Sequence, residues 1–338
     1  MHDTQGHTAA DMPPERGGVP GRASPHSSPP SGPQRSAFRN YLKLARLHQW
    51  GKGVFVLVGP VYGAVDGSAI NWGAVGLAFL GFGLGSSACY VVNDIRDREA
   101  DRNHPRKCRR PVASGAISVG AAWVFAAVLL LGTAGAVVGL LAVAPGAAAM
   151  WTGLAILAYI ANVTAYTYLF KHHIIADVVS LAIGFVLRVL GGCAAAGIEP
   201  STWLLNCTLF VSMFLAFAKR LGERRTREGG DVSRSRAVQS VYTDDLLRMS
   251  VVVTGVAALV TYAGYVQARS GLYTVGFNLL WLTMLPATYG LLRCIVLVER
   301  GDYDDPTELA IGDRAFQVAG VAFVAVTIAI AFIADRPL

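Results

Sequence analysis

Nine times between residues 53 and 334 the chain runs for about 20 residues with few charged side chains, the length of helix that crosses the hydrocarbon core of a bilayer. The stretches fall at about 53–70, 72–92, 119–142, 145–169, 174–197, 202–218, 247–267, 273–297 and 315–334. In lipid, every backbone N–H and C=O has to be paired within the protein, so segments of this length are restricted to helices. The predicted fold is all-α, a polytopic bundle of nine transmembrane helices. The first stretch is the least regular, because Gly59, Pro60 and Asp66 interrupt it. Composition agrees: only 15% of the residues are charged, against about a quarter in soluble domains.

The first 37 residues are of another kind. They are rich in Pro, Gly and Ser and nearly free of large apolar groups, so they cannot bury enough surface to order themselves. They also lack the apolar core of a signal peptide. The sequence predicts a disordered cytoplasmic tail over 1–37 ahead of a transmembrane domain over 38–338. His2 and His7 are too isolated for a metal site. The five cysteines (Cys89, Cys108, Cys193, Cys207, Cys294) have no CxxC spacing and point to neither a disulfide framework nor zinc.

Basic residues give the orientation. They crowd the approach to the first span (Arg35 to Lys52) and the 2–3, 6–7 and 8–9 connections, all on one side of a nine-span arrangement. The other side has only Arg269 and Arg336. By the positive-inside rule the basic side, with the N-terminus, is cytoplasmic, as in a multi-pass protein of the plasma (inner) membrane. The net charge of +7 then follows from topology, and no aromatic-basic interleaving argues for a nucleic-acid partner.

The densest cluster follows the second span: NDIRDREADRNHPRKCRRPVASG, residues 93–115. If the helix continues through residue 101, Asn93, Asp97 and Asp101 form an i, i+4, i+8 stripe with Asp94 beside it. Like charges at that spacing repel, so the array calls for a cation. One reading is a salt-bridged helix end, with Arg96, Arg98 and Arg102 neutralising the acids. The other is a divalent ion held by carboxylates and substrate phosphates, as Mg²⁺ commonly is, with Arg106, Lys107, Arg109 and Arg110 near enough to hold the phosphates.

A second cluster ends the fourth span, with Tyr166, Lys171, His172, His173 and Asp177. Lys171 either takes phosphate oxygens or snorkels to the interface. The two histidines are adjacent and so point about 100° apart, which disfavours joint metal ligation. Arg188 lies inside the fifth span, about 16 Å along the axis from Asp177 and on the same face. An arginine at that depth is costly unless it is paired or faces a polar cavity. Either an anion binds deep in the bundle or an acidic partner exists, yet no other span carries a carboxylate at mid-depth.

With these residues in view, the chain resembles the UbiA-type superfamily of intramembrane prenyltransferases, marked by NDxxDxxxD at the end of helix 2: here Asn93, Asp94, Asp97 and Asp101. More narrowly it resembles the decaprenyl-phosphate phosphoribosyltransferase branch, through HQWGK (48–52), residues 93–115, AYTYLFK (165–171), DVVSLAIGFVLRVLGG (177–192), KRLGE (219–223) and DPTELAIGDRAFQVAG (305–320). The resemblance runs from residue 40 to the C-terminus in unchanged order. It implies nine helices around a central cavity open to the cytoplasmic side and capped by the 2–3 and 6–7 connections. It also implies transfer of the phosphoribosyl group of phosphoribosyl diphosphate to a polyprenyl (decaprenyl) phosphate, with Mg²⁺ as cofactor and diphosphate released. Carried over by motif, Asn93 and Asp97 ligate Mg²⁺ with help from Asp101. Lys52, Tyr90 and Lys107 contact phosphoribosyl diphosphate, Lys171 lies between the substrates with Asp97 as its catalytic companion, and Arg188 holds the lipid phosphate. A homo-oligomer is compatible with the resemblance, as is a part in making arabinose donors for the cell envelope.

Three departures stand out. Leu47 and Gly53 replace a Pro and an Asn that often flank HQW and the following lysine in this branch. The superfamily's second acidic pair, DxxxD on helix 5, is here Asp177 and Leu181. Losing that carboxylate counts against ionisation of a prenyl diphosphate for an aromatic acceptor, the competing enzymatic reading. A transporter is disfavoured because the acids sit at helix ends and not at the bilayer midplane.

Overall fold

The computed structural model describes residues 37–65, 67–104, 107–225, 242–303, 309 and 312–334. The expected tail therefore lies outside the described residues except for Ala37. So do Arg106 and most of the 6–7 connection that was expected to cap the cavity.

The described chain is helical almost throughout. Helix α1 (Ala37–Ala45) leads through a 3₁₀ segment, Leu47–Gly53, into α2 (Val54–Val65). Then come α3 (Trp72–Arg96), the one-turn α4 (Arg98–Arg102), α5 (Val119–Val143) and α6 (Gly146–Tyr168). They are followed by α7 (Ala176–Ala196), α8 (Thr202–Arg225) and α9 (Asp244–Ala268). The short α10 (Ser270–Tyr273) precedes a two-residue antiparallel pair in which Thr274–Val275 meets Phe277–Asn278 across Gly276. Helices α11 (Met284–Arg300) and α12 (Arg314–Ala334) complete the described chain.

Local signals start and stop these helices. The side chains of Asn71, Ser118 and Thr243 accept hydrogen bonds from the N–H groups of Ala74, Ala121 and Leu246, capping α3, α5 and α9. Gly197 and Gly301 end α7 and α11 with positive φ, a conformation that costs glycine no Cβ clash.

Of the nine predicted spans, seven form helices long and apolar enough to cross a membrane: α3, α5 to α9, and the stretch Leu279–Arg300 that ends in α11. The first predicted span is shorter than expected. Its helix, α2, has 12 residues around Pro60. The ninth is helical, but its apolar run, Arg314–Ile330, is also shorter than the seven. The eighth begins later than expected because residues 270–278 fold as a short helix and a tight turn.

Packing follows the apolar faces. Helix α3 lies along α5, α6 packs on α7, α2 and α8 flank α7, and α8 lies along α9. Helices α5 and α6 leave Val124, Leu131, Val138, Trp151 and Leu157 exposed. An outward apolar face on a helix that is also apolar inside is the pattern of a membrane span. At Gly192 helix α7 touches α2 backbone to backbone: a Cβ there would sit 1.9 Å from the Val56 carbonyl oxygen. That approach fixes the start of α2, and with it the 3₁₀ segment carrying Lys52. The same segment is pinned to α3, where Trp50 Nε1 donates to Ser87 Oγ at 3.0 Å and Ser87 Oγ donates to the Ala45 carbonyl at 2.7 Å.

Candidate active site

The expected unbroken helix through residue 101 is interrupted at Asp97, where the backbone turns between α3 and α4. The hydrogen-bond register survives the break. Asp97 N–H donates to the Asn93 carbonyl at 2.9 Å and Asp101 N–H to the Asp97 carbonyl at 2.8 Å. The stripe therefore stays on one face, and all three side chains line a cavity of about 410 Å³. Lys52, Tyr90, Lys107, Arg110, Lys171 and Arg188 line the same cavity; Arg109, also named as a phosphate-holding candidate, does not.

The acids are not bare. Lys171 Nζ lies 3.1 Å from Asp97 Oδ1, and Arg110 Nη1 lies 2.6 Å from Asp101 Oδ2. Asp94 is buried away from the cavity between Arg46, at 2.5 Å, and Arg110, at 3.2 Å. The salt-bridge reading thus holds for Asp94, which ties the chain before α2 to the chain after α4. Asp97 and Asp101 have basic partners and face the cavity as well. Of the arginines proposed as neutralisers, Arg98 and Arg102 turn to Glu99, and Arg96 donates to the Thr167 carbonyl at 2.8 Å.

Arg188 is 4% exposed. Its Nη2 donates to Tyr159 OH at 2.8 Å, and the guanidinium lies 4.5 Å from the centre of the Tyr159 ring and 5.5 Å from that of Phe82. Among the described residues no carboxylate pairs with it. A guanidinium has five donors; one is used by Tyr159, and the residue lines the cavity. A buried cation in that state draws an anion.

Asp177 departs from the expected arrangement: it does not line the cavity. Its Oδ2 accepts from Arg220 Nη2 at 2.5 Å and Nε at 3.1 Å, and its Oδ1 accepts from Tyr242 OH at 2.8 Å. Leu181, where a second superfamily carboxylate would stand, does line the cavity. Nearby Ile175 has φ of 67° and ψ of −48°, a strained conformation for a β-branched residue that costs roughly 1–3 kcal/mol. His172 reaches the cavity wall and His173 does not.

Reading the sequence alone missed several wall residues. Tyr159 and Asn162 join Tyr166, already named in the second cluster, in an i, i+3, i+7 stripe on α6, a signal visible in the sequence as polar residues recurring at helical spacing in an apolar run. Asn162 is locked to α7: its Nδ2 donates to the Ser180 carbonyl at 2.8 Å, and Ser180 Oγ donates to its Oδ1 at 3.0 Å. Arg46 had counted only toward orientation. It reaches the wall because its own backbone has positive φ, which sequence does not announce.

As to a metal, the Asn93–Asp97–Asp101 stripe offers oxygen donors only, two carboxylates and one amide, while Cys89, His104 and His172 line other parts of the wall. Among the described residues no three His, Cys, Asp or Glu groups gather into a complete cage. One or two carboxylates, completed by substrate phosphates, are how a hard ion such as Mg²⁺ is usually held. The residues therefore fit such an ion brought with a diphosphate, and do not fit a structural zinc.

Comparison with known proteins agrees. Residues 53–321 match the UbiA prenyltransferase family. The chain is 34% identical to a decaprenyl-phosphate phosphoribosyltransferase of Corynebacterium glutamicum, over 86% of each chain. It is 32% identical to one of Mycolicibacterium smegmatis, over 89% of this chain and 95% of that one. In fold it resembles the structure of a UbiA homolog from Archaeoglobus fulgidus bound to GPP and Mg²⁺, with a TM-score of 0.60 at 18% identity, covering 86% of this chain and 99% of the other. With helices of membrane-spanning length and a family match over most of its length, this chain is a multi-pass membrane protein of the UbiA prenyltransferase family.

Proposed function

We propose that the chain transfers the 5-phosphoribosyl group of phosphoribosyl diphosphate to a polyprenyl phosphate, decaprenyl phosphate in particular, and releases diphosphate. The observation that carries this reading is Arg188, a buried guanidinium facing the cavity with no carboxylate partner among the described residues, below a mouth lined by Asp97, Asp101, Lys52 and Lys107. One end suits a lipid-borne anion and the other a water-borne diphosphate. The names of the relatives from Corynebacterium and Mycolicibacterium support the same substrates.

In the reaction an oxygen of the lipid phosphate bonds to the anomeric carbon as the bond from that carbon to the diphosphate oxygen breaks. The lipid phosphate is already an anion near neutral pH, so no dedicated base is required. Arg188 holds it, and Lys171, released from Asp97, offsets the repulsion between the two phosphate-bearing substrates. Lys52 and Lys107 bind the donor's phosphates, with Tyr90 beside them. Asn93, Asp97 and Asp101 would hold Mg²⁺, which would supply charge neutralisation at the leaving diphosphate. Catalysis is then mainly positioning and charge compensation.

We further propose that α2 and α12 complete a nine-helix bundle, with the first 37 residues as a separate tail. The cavity mouth would face the cytoplasm across the plasma membrane, as the one-sided basic residues support. The product would serve as a precursor of arabinose donors for the cell envelope. The competing reading, prenyl transfer to an aromatic acceptor, has the fold and the wider family behind it. Against it stand Leu181 on the cavity wall and an Asp177 occupied by Arg220 and Tyr242. The test is to incubate purified protein with Mg²⁺, decaprenyl phosphate and labelled phosphoribosyl diphosphate. The label should enter the lipid fraction. No label in lipid, with prenyl diphosphate consumed in the presence of an aromatic acceptor, favours the competing reading.

A further inference from the structure

Lys171 does not stand on a regular helix. Helix α6 ends at Tyr168, and Lys171 sits in a single 3₁₀ turn, Phe170–His172, before the chain reaches α7. Between that turn and α7 the backbone reverses sharply. Ala176 N–H donates to the Ile174 carbonyl at 2.7 Å around Ile175 at φ 67° and ψ −48°. This is the rare positive-φ γ-turn, and a β-branched residue does not adopt it by its own preference. Something outside the turn has to hold it.

The holder is Tyr242, in the lead-in to α9. Its hydroxyl accepts the Ile175 N–H at 2.6 Å and donates to Asp177 Oδ1 at 2.8 Å. Asp177 is in turn gripped by Arg220 of α8, and its Oδ1 accepts the Val178 N–H at 2.8 Å. The Tyr242 carbonyl accepts from Arg224 Nη1 at 2.7 Å, and its ring meets Phe217 edge-on. Tyr242 thus ties together the turn before α7, the end of α8 and the start of α9, with its hydroxyl making the bonds to the turn. Burial pushes the phenol up to about 12, so it stays a donor across the physiological range.

We propose that Tyr242 is a positioning residue for Lys171: it keeps the strained turn closed so that the lysine is presented to the cavity. The inference rests on the reading of Lys171 as a contact to the diphosphate-bearing substrate.

The test uses the full chain in detergent and inorganic diphosphate with Mg²⁺ as the probe. Calorimetry compares wild type, Tyr242→Phe, Lys171→Met and the double variant. Phenylalanine keeps the ring and removes only the hydroxyl. Each single change should weaken diphosphate binding about tenfold, the scale of one charge-assisted contact, and the double should be no weaker than Lys171→Met. Adding Ile175→Gly to Tyr242→Phe should restore part of the binding, because glycine holds positive φ unaided. Hydrogen exchange should quicken over 170–178 and stay unchanged within α9. Wild-type binding by Tyr242→Phe, single losses that multiply to about a hundredfold, or faster exchange throughout α8 and α9 would overturn the proposal. A wild type that binds diphosphate but moves no phosphoribosyl group sinks the proposed function and leaves this test standing. A wild type that binds no diphosphate overturns both.

Discussion

At the scale of single residues, the cavity divides its charged groups by the partners they keep. Asp94 and Asp177 are buried in ion pairs away from the cavity, whereas Asp97 and the equally buried Asp101 pair with bases and also line the cavity. The Asp97–Lys171 pair is partly exposed, and pairs of that kind contribute under about 1 kcal/mol. Asp97→Asn should therefore abolish transfer while the melting temperature in detergent moves by no more than a few degrees; an aggregated variant would mean that Asp97 is structural. Arg188 predicts a different kinetic signature. Arg188→Ala removes a charge-assisted contact worth about 1.5–3 kcal/mol, so KM for the lipid phosphate should rise roughly 10- to 100-fold, with a smaller change for the sugar donor. A change confined to the sugar donor would put the arginine at the wrong substrate. Much of this was legible beforehand. Spacing placed Asn93, Asp97 and Asp101 on one face, and the cost of a deep cation singled out Arg188. That Asp177 turns away from the cavity was not legible, because it depends on Arg220 and Tyr242, which arrive from 43 and 65 residues further along.

At the scale of elements, the site depends on how closely α2 and α7 approach. Gly192→Ala places a methyl against the Val56 carbonyl, a backbone group that cannot rotate aside. The cost of such overpacking is about 1–3 kcal/mol. Because Lys52 lies just ahead of α2, the variant should show a lowered melting temperature together with weaker binding of the sugar donor. An unchanged melting temperature would show that the approach is looser than described. The start of α12 makes a prediction about pH. Arg293 Nη2 and Nε donate to the Asp313 carboxylate at 2.8 and 3.2 Å, and Phe316 N–H donates to it at 2.7 Å. The Arg293 bonds first, and then the backbone bond, hold its carboxyl below the usual carboxylate range. A depressed folded-state value stabilises above the unfolded value of about 4 and is lost as pH falls through the folded one. Asp313→Asn should thus melt earlier than wild type at pH 7, with the gap closing below about pH 4; a gap constant down to pH 3 would contradict the assignment. Helix existence was readable from apolar runs, but the length of α2 was not. Composition does not say that the chain will coil as 3₁₀ through Leu47–Gly53 and leave only twelve residues beyond it.

At the scale of the whole molecule, the helices bring together side chains from residue 46 to residue 188 in a single chamber. One end of it gathers two carboxylates among several lysines and arginines, and the other holds a cation among aromatic rings. That polarity suits two substrates that meet from different phases, one from water and one from lipid. Long-range convergence of this kind is written into the sequence only indirectly, as polar residues that recur on inward faces of apolar helices. If turnover needs a divalent ion carried in with the donor, a chelator should stop transfer and added Mg²⁺ should restore it, with no loss of folded protein. The most direct test of the account is a structure of the protein with Mg²⁺ and diphosphate bound. The account predicts the ion against Asn93, Asp97 and Asp101, the diphosphate reached by Lys171, and Arg188 open to a second anion. Diphosphate bound elsewhere, with Lys171 still on Asp97 and Arg110 still on Asp101, would contradict it.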